Sequence, residues 1–180
     1  MVLSDSEIKK ALELEKLIIE PRPKANQYSP SAVDLHLDST LRILKESKIK
    51  GLEINLADYN FHDYKDIIFE EETMSSIGYQ LKPGEFLHGI KEYIELPISS
   101  CLCDRIEGRS SFARLGLVVH MTAPTIHADF RGKVVLEIMN FGPYPLKLTP
   151  ELIICQLIVE NLYGTPTQGL DSVFQDQTGI

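Results

Sequence analysis

The chain has 180 residues and a formal net charge of −8 at pH 7, which suits one domain with a sizeable core and excludes long-range attraction to nucleic acid or an anionic membrane. No apolar run is long enough to span a bilayer, and the start MVLSDSEIKKALE lacks the apolar segment of a signal peptide. Three cysteines fit a reducing cytoplasm better than a disulfide framework.

The first part of the chain predicts one helix and one clear strand. Ser4 and Glu7 form the S-x-x-E pattern of a capping box, so a short helix is predicted from there to about residue 16. The alternation of apolar and polar residues in SAVDLHLDS predicts a half-buried strand over residues 33–37. Residues 57–76 are polar and acidic without a firm period, which indicates a long excursion with room for a helical turn.

The second part predicts several strands and a polar tail. LKPGEFLHGIKEYIELP indicates a turn at Pro83 and Gly84 and then one long strand that ends at Pro97. KVVLEIMNFGPYPLKL predicts a strand, a turn and a strand, and ELIICQLIVENL predicts another apolar strand. The tail, residues 164–180, is either disordered or orders over a ligand. These elements predict a single, mostly β domain of sandwich or barrel type with a short N-terminal helix.

Glu137 is an unusual residue for its surroundings. It lies in VVLEIM, where a period of two places it on one face with Val135 and Met139. A carboxylate buried among such neighbours has a raised pKa, which suits a group that takes and returns a proton near neutral pH. The alternative is an edge strand on which Glu137 faces water.

The segment GRSSFARLGL holds Arg109, Ser110, Ser111 and Arg114 within six residues. Guanidinium forks, hydroxyls and the backbone N–H groups of a serine-rich turn all suit phosphate oxygens. The alternative is a solvated turn with surface ion pairs. Neither a Walker loop nor a G-x-G-x-x-G motif is present in the sequence.

Metal and nucleophile motifs are weak. The five histidines form no H-E-x-x-H motif, and Cys101 and Cys103 are too close together for a tetrahedral zinc site. The spacing of His120 and His127 from the serines does not support a catalytic triad. The sequence therefore predicts no metal ligand set.

The order of these motifs resembles one known family. GRSSFARLGL, then VVHMTAPTIHADFRGKVVLEIMNFGPYPLKL, then IICQLIVE resemble the successive motifs of the dCTP deaminase branch of the dUTPase-like superfamily. IIEPRP, SPSAVDLHLD and LKPGEFLHGIKEYIELP resemble earlier parts of the same family, so the resemblance covers nearly the whole chain, residues 1–180.

The resemblance implies a β-clip fold, which is a dUTPase-like, distorted jelly-roll or barrel, and a homotrimer with active sites between subunits. It implies hydrolytic deamination of dCTP to dUTP and ammonia without zinc, supplying dUTP for dUMP and dTTP synthesis. It also implies Mg²⁺ bound to the triphosphate, dTTP as a feedback inhibitor, and a flexible tail over residues 164–180 that closes over the site. Neither nucleic acid nor membrane is expected as a partner.

The resemblance also assigns catalytic roles. Glu137 matches the catalytic glutamate of the family. Ser110 and Arg114 match residues that hold the reacting water, the base and the glutamate. Ala123 matches the residue whose backbone carbonyl orients the water, and Arg109 matches a triphosphate contact beside the hydroxyl of Ser111.

Further positions are implied around the substrate. Gln177 matches a glutamine that closes over the phosphates, and Gln156 matches a common motif position. Thr125 stands where some relatives carry arginine near the base. His127 stands where dUTPases and many deaminases carry an aspartate that serves the sugar 3′-hydroxyl or the water, and histidine is not a permanent carboxylate.

His120 and Met121 match a segment linked in this family to inhibition by dTTP, which could block the water site when it moves. The alternative is a plain strand end. Three other functions stay open beside the monofunctional deaminase: a bifunctional enzyme that yields dUMP, ammonia and pyrophosphate, a dUTPase, and an inactive trimeric nucleotide-binding module.

Overall fold

The strands of the protein are short and numerous. The computed structural model describes residues 1–89 and 91–179, without the side chains of Glu46, Lys48 and His62. Within this part the chain forms fifteen strands and four α-helices. The helices are α1 (Asp5–Glu13), α2 (Glu46–Ile49), α3 (Phe61–Ile68) and α4 (Ser110–Ala113). The strands are β1 (Ile18–Glu20), β2 (Tyr28–Ser29), β3 (Ala32–His36), β4 (Thr40–Leu44), β5 (Phe69–Thr73), β6 (Tyr79–Leu81), β7 (Phe86–Gly89), β8 (Tyr93–Glu95), β9 (Leu102–Gly108), β10 (Leu117–Val118), β11 (Thr125–Ile126), β12 (Arg131–Lys133), β13 (Leu136–Asn140), β14 (Leu146–Leu148) and β15 (Ile153–Asn161).

Two five-stranded antiparallel sheets form the body of the protein. Their strand orders are β11-β9-β15-β3-β2 and β10-β13-β7-β4-β5. Smaller sheets of order β1-β8-β12 and β14-β6 flank them. The mostly β prediction is confirmed, and the described strands form open sheets rather than a closed barrel. Helices α2 to α4 add to the single N-terminal helix that the sequence predicted.

One apolar core contains side chains of both large sheets. Val33, Leu157 and Val159 of the first sheet belong to the same buried cluster as Leu41 and Ile138 of the second. The alternation in β13 and β15 produces this arrangement, because every second residue of an antiparallel strand points to the same face.

Local signals at the N-terminus are confirmed. The Ser4 hydroxyl accepts a hydrogen bond from the Glu7 backbone N–H at 3.4 Å, which caps α1. Ile8 and Leu12 lie one turn apart on the buried face of this helix. The predicted strand over residues 33–37 is β3, with Val33 and Leu35 buried.

The prediction for residues 57–76 was incomplete, because this segment contains α3 and β5. β5 is an edge strand with the sequence FEEET, in which only Phe69 is buried. Charged residues are typical of edge strands because they discourage pairing with another chain. The polar composition of this edge strand is the reason that the sequence pattern did not predict it.

The single long strand predicted to end at Pro97 was wrong. The segment contains β7, which pairs with β4 and β13, and β8, which pairs with β1 and β12 in a different sheet. Between them, Glu92 is 3% exposed, and its carboxyl group accepts hydrogen bonds from the His36 backbone N–H at 3.0 and 3.1 Å. The chain therefore passes from one sheet to the other next to Glu92, whose buried carboxyl group is hydrogen-bonded to the backbone of His36.

No helix in the described part of the chain has the length and apolarity that crossing a membrane would require.

Asp104 gives a prediction for stability. It is 1% exposed in the middle of β9, and both carboxyl oxygens lack a hydrogen-bond partner in the structure. Burial, and then the charge of Glu160, raise the pKa of Asp104 well above its ordinary value. Because folding raises this pKa, the unfolded chain gives up the proton at lower pH, and folding loses stability as the pH rises above the ordinary aspartate pKa.

We therefore expect Asp104→Val to increase the free energy of unfolding at pH 8 by about 1–3 kcal/mol, the usual cost of an unsatisfied buried polar group. The gain should shrink at pH 3, below the ordinary aspartate pKa, where the carboxyl group is mostly protonated in the unfolded chain as well as in the folded one. Urea denaturation at both pH values measures this. Glu70→Val on the exposed face of β5 is the control, with little change expected at either pH. A loss of stability at pH 8 would show that the Asp104 carboxyl group is needed for folding.

Candidate active site

A cavity of about 440 Å³ lies against the sheet that contains β7 and β13. Its walls come from these two strands, β9, β11 and the segments before and after β11, residues 134–135, α3 and the C-terminal tail. Apolar side chains such as Ile126, Phe130 and Val135 form much of its surface, and a few polar groups converge among them. This combination is typical of a small-molecule site.

Glu137 is the acidic side chain that lines this cavity within the described residues. β13 lies between β10 and β7, so the alternative of an edge strand does not apply. Leu136, Ile138 and Asn140 are buried, while Glu137 and Met139 are half-buried on the other face, as the period of two predicted.

The surroundings of Glu137 favour a proton on its carboxyl group. Burial raises the pKa of Glu137, while a hydrogen bond from the Met121 backbone N–H and the nearby His120 act in the opposite direction. A carboxyl group with a raised pKa is a stronger base, once ionised, than an ordinary carboxylate, so it can take a proton from a bound water and return it. Chemically, the cavity can therefore support general acid–base catalysis.

His88 also lines the cavity, although no motif in the sequence predicted a role for it. It lies on β7 directly opposite Glu137 on β13 and is 7% exposed. Burial, and then the charge of Arg42, lower the pKa of His88 to about 4. The pairing of β7 with β13, about 50 positions apart in the chain, brings His88 and Glu137 together, and no local sequence pattern predicts this pairing.

The segment from His120 to His127, which includes β11, forms one side of the cavity. His120, Ala123, Thr125 and His127 all line it. His120 is half-buried and its Nδ1 atom is buried without a hydrogen-bond partner, whereas Ala123, Thr125 and His127 are exposed. Met121 is 48% exposed and contributes its backbone N–H to Glu137 rather than a side chain to the cavity wall.

The tail lies across the cavity of its own chain. Gln177 lines the cavity, and its side-chain amide donates a hydrogen bond to the Lys133 backbone oxygen at 2.6 Å. The Lys133 N–H donates to the Gln177 oxygen at 2.8 Å, and the Asp176 N–H donates to the Arg131 oxygen at 2.9 Å. The described tail residues thus follow β12 without forming a helix or strand of their own.

Gly132 makes this close approach of the tail possible. Its φ is +151°, and a Cβ atom there would lie 3.2 Å from the Cγ and N atoms of Gln177. We expect Gly132→Ala to loosen the tail, because a side chain at this φ is strained and would crowd Gln177. Hydrogen exchange at the Asp176 and Lys133 amides should accelerate by about tenfold, equivalent to a local free-energy loss of about 1.4 kcal/mol.

The matched control is Gly179→Ala, because a Cβ atom at Gly179 meets no atom within 4 Å. This variant should exchange like the wild type. Unchanged protection of the Asp176 amide in Gly132→Ala would contradict the role of Gly132 in holding the tail.

The serine–arginine segment lies outside this cavity. β9 ends at Gly108, and α4 begins at Ser110. Ser110, Ser111 and Arg114 are exposed, and none of them lines the cavity within the described part of the chain. Arg109 is half-buried, with its Nη1 atom 3.5 Å from Oδ2 of Asp34.

Gln156 lies outside the cavity and is linked to Arg109 through Asp34. Its side-chain amide donates a hydrogen bond to Oδ1 of Asp34 at 2.9 Å, so Asp34 lies between Gln156 and Arg109. The predicted site residues therefore fall into two groups. The cavity group is His120, Ala123, Thr125, His127, Glu137 and Gln177, and the outer group is Arg109, Ser110, Ser111, Arg114 and Gln156.

The described residues contain no cluster of three or more histidine, cysteine, aspartate or glutamate side chains placed to hold a metal ion.

The fold has a counterpart among solved structures. The crystal structure of 2′-deoxycytidine 5′-triphosphate deaminase from Agrobacterium tumefaciens superimposes with a TM-score of 0.68 and 21% sequence identity. The match covers 88% of this chain and 47% of that chain, so this chain spans about half its length. The mostly β architecture is thus of the class that this structure represents.

A family model described as dCTP deaminase-like matches residues 2–162. The chain belongs to the dCTP deaminase-like family, which confirms the resemblance seen in the sequence. A dCTP deaminase of Marinomonas sp. is 34% identical over 99% of this chain and 94% of its own length. A dUMP-forming dCTP deaminase of Methanosphaera stadtmanae is 35% identical over 99% of this chain and 90% of its own length.

Proposed function

We propose that this protein hydrolyses dCTP to dUTP and ammonia without zinc. The observation that carries the proposal is the half-buried carboxyl group of Glu137, which faces a cavity of about 440 Å³ and has a raised pKa. Membership in the dCTP deaminase-like family, and relatives with the name dCTP deaminase, support the choice of substrate.

In the proposed reaction Glu137 removes a proton from a water molecule, whose oxygen bonds to C4 of the cytosine ring. The carboxyl group passes that proton to ring N3, then takes the remaining proton of the new C4 hydroxyl and passes it to the amine. The C4–N bond breaks, ammonia leaves, and C4 keeps the oxygen as a carbonyl. The backbone carbonyl of Ala123 orients the water. The apolar walls and the tail exclude bulk water, which strengthens these polar interactions.

We assign the outer group of residues to the cavity of a neighbouring subunit in a homotrimer. Ser110, Ser111 and Arg114 are exposed, as expected for groups that complete a site on another chain. Exposed apolar side chains close to α4 support an interface there: Leu115 is 43% exposed, and Phe141 63%. In this assembly Ser110 and Arg114 hold the water and stabilise the charge that develops on the base.

The remaining assignments concern the nucleotide. Arg109, Ser111 and Gln177 bind the triphosphate, Thr125 lies near the base, and His127 at the cavity rim offers a hydrogen bond to the sugar. Gln156 supports Arg109 through Asp34.

Mg²⁺ accompanies the substrate, held by phosphate oxygens and water, which suits a chain whose described residues form no metal-binding cluster. dTTP is assigned as a feedback inhibitor that acts through His120 and Met121, next to Glu137. The setting is the cytoplasm, where the dUTP supplies dUMP and dTTP synthesis, and the three free cysteines support it.

A second candidate is the bifunctional reaction that yields dUMP, ammonia and pyrophosphate. The observation that favours it is the Methanosphaera stadtmanae relative, which is named dUMP-forming. The exposed His127 favours the monofunctional reaction, since an imidazole lacks the permanent negative charge with which a carboxylate orients a phosphate-attacking water.

Identification of products separates these functions. The protein is incubated with Mg²⁺ and either dCTP or dUTP, and ammonia, dUTP, dUMP and pyrophosphate are quantified. Ammonia with accumulating dUTP supports the proposal, and ammonia with dUMP and pyrophosphate supports the bifunctional enzyme. Turnover of dUTP alone identifies a dUTPase, and nucleotide binding without products identifies an inactive module. Either of the last two results overturns the proposal.

A further inference from the structure

Three charged or titratable side chains lie in line across the sheet beneath the cavity. The register of the strands places Arg42 on β4 opposite His88 on β7, and His88 opposite Glu137 on β13. Directly opposed residues of antiparallel strands point to the same face, with Cβ atoms about 4.5–5.5 Å apart. His88 and Glu137 both line the cavity, so His88 is the neighbour of the carboxyl group within the sheet.

The ring of His88 is held in place by aromatic side chains. Its centroid lies 4.3 Å from that of Phe69, and Phe86 packs edge-on at 5.2 Å. Phe61 of α3 lies at 6.3 Å. This close packing restricts the rotation of the His88 ring.

Arg42 is the charged group behind His88. It is 8% exposed, and its Nη1 atom is buried without a hydrogen-bond partner. Its Nη2 atom donates to Oε1 of Glu71 at 3.0 Å, and Asp66 lies 3.9 Å away. Because burial and this guanidinium lower the pKa of His88 to about 4, the ring is neutral at pH 7, with one donor and one acceptor nitrogen.

Among the described residues that line the cavity, the other titratable groups are Glu137 itself, His120 and His127. A charged imidazole at position 88 would form an ion pair with Glu137 and hold that carboxyl group ionised. A neutral one can donate a single hydrogen bond and leave the carboxyl group able to accept a proton.

We propose that His88 is a positioning residue for Glu137: its ring N–H holds the carboxyl group towards the reacting water. The positioning role of His88 rests on the proposed function of Glu137 in deamination. The contact between the two side chains, however, can be measured without any substrate.

The kinetic test uses His88→Phe, which keeps an aromatic ring against Phe69 and Phe86 but removes the N–H. Without that donor, the ionised form of Glu137 loses stabilisation, so the acid limb of the kcat/KM profile for dCTP should move up by about one pH unit. We expect kcat to fall about tenfold with little change in KM. His88→Gln, which retains a donor, should recover part of both. A His88→Phe profile that superimposes on that of the wild type would show a packing role only.

The second test is an NMR titration of the histidine ring signals. In the wild type, the His88 signals should show a main step near pH 4 and a smaller step at higher pH that follows ionisation of Glu137. The smaller step should vanish in Glu137→Gln. The main step should move to higher pH in Arg42→Leu and stay near its place in Arg42→Lys.

The two tests separate the two hypotheses. If dCTP is not deaminated, the proposed function fails, yet the smaller NMR step still decides whether His88 contacts Glu137. If deamination occurs but the His88 signals show no step that depends on Glu137, the positioning role is wrong and the proposed function stands.

Discussion

Glu137→Gln is expected to reduce ammonia release from dCTP by about 10²- to 10⁴-fold, the usual contribution of a general acid–base group. Glutamine has nearly the same shape as glutamate but can neither take a proton from water nor return one. Because folding raises the pKa of Glu137, a neutral side chain here costs the fold nothing at neutral pH. The measurement is the initial rate of ammonia release, together with the thermal unfolding midpoint.

The matched control is Glu95→Gln. Glu95 is a half-buried strand glutamate that lies outside the cavity and accepts a hydrogen bond from the Tyr93 hydroxyl at 3.1 Å. This variant should deaminate at the wild-type rate. A Glu137→Gln protein that deaminates at nearly the wild-type rate would show that another group carries the proton.

A mixture of two inactive variants is expected to recover activity. One chain lines its own cavity with Glu137, whereas Arg114 is exposed and lies outside that cavity. If a neighbouring subunit supplies Arg114, Glu137→Gln and Arg114→Ala chains are each inactive alone. When mixed equally in trimers, about a quarter of the sites should combine an intact Glu137 with an intact Arg114. The rate of ammonia release after co-refolding should therefore reach about a quarter of the wild-type value.

The control mixes Glu137→Gln chains with chains that carry both substitutions. No site in that mixture has an intact Glu137, so no activity should return. Native mass spectrometry of differently tagged chains establishes that mixed trimers form. Mixed trimers without recovered activity would exclude Arg114 as a group shared between subunits. An oligomer other than a trimer would exclude the assembly itself.

Local patterns predicted a large part of the fold. The capping residue Ser4 and the periodicity of α1 act within one helical turn, and the alternation of β3 and β13 reports which residues face the core. The same alternation placed Glu137 on one face with Val135 and Met139. Each of these features depends on residues a few positions apart, so the sequence displays it directly.

Contacts between distant segments decided the rest. The sequence by itself determined the mostly β class, the capped helix and the unusual carboxyl group in β13. Only the tertiary structure decided that His88 lies opposite Glu137 in the sheet. It also decided that the segment after Pro83 enters two different sheets, with the change next to the buried Glu92, and that Gln177 of the tail packs closely against Gly132. The physical reason is that strand register and tail docking are set by side-chain packing between segments far apart in the chain, and no short pattern of residues records such pairings.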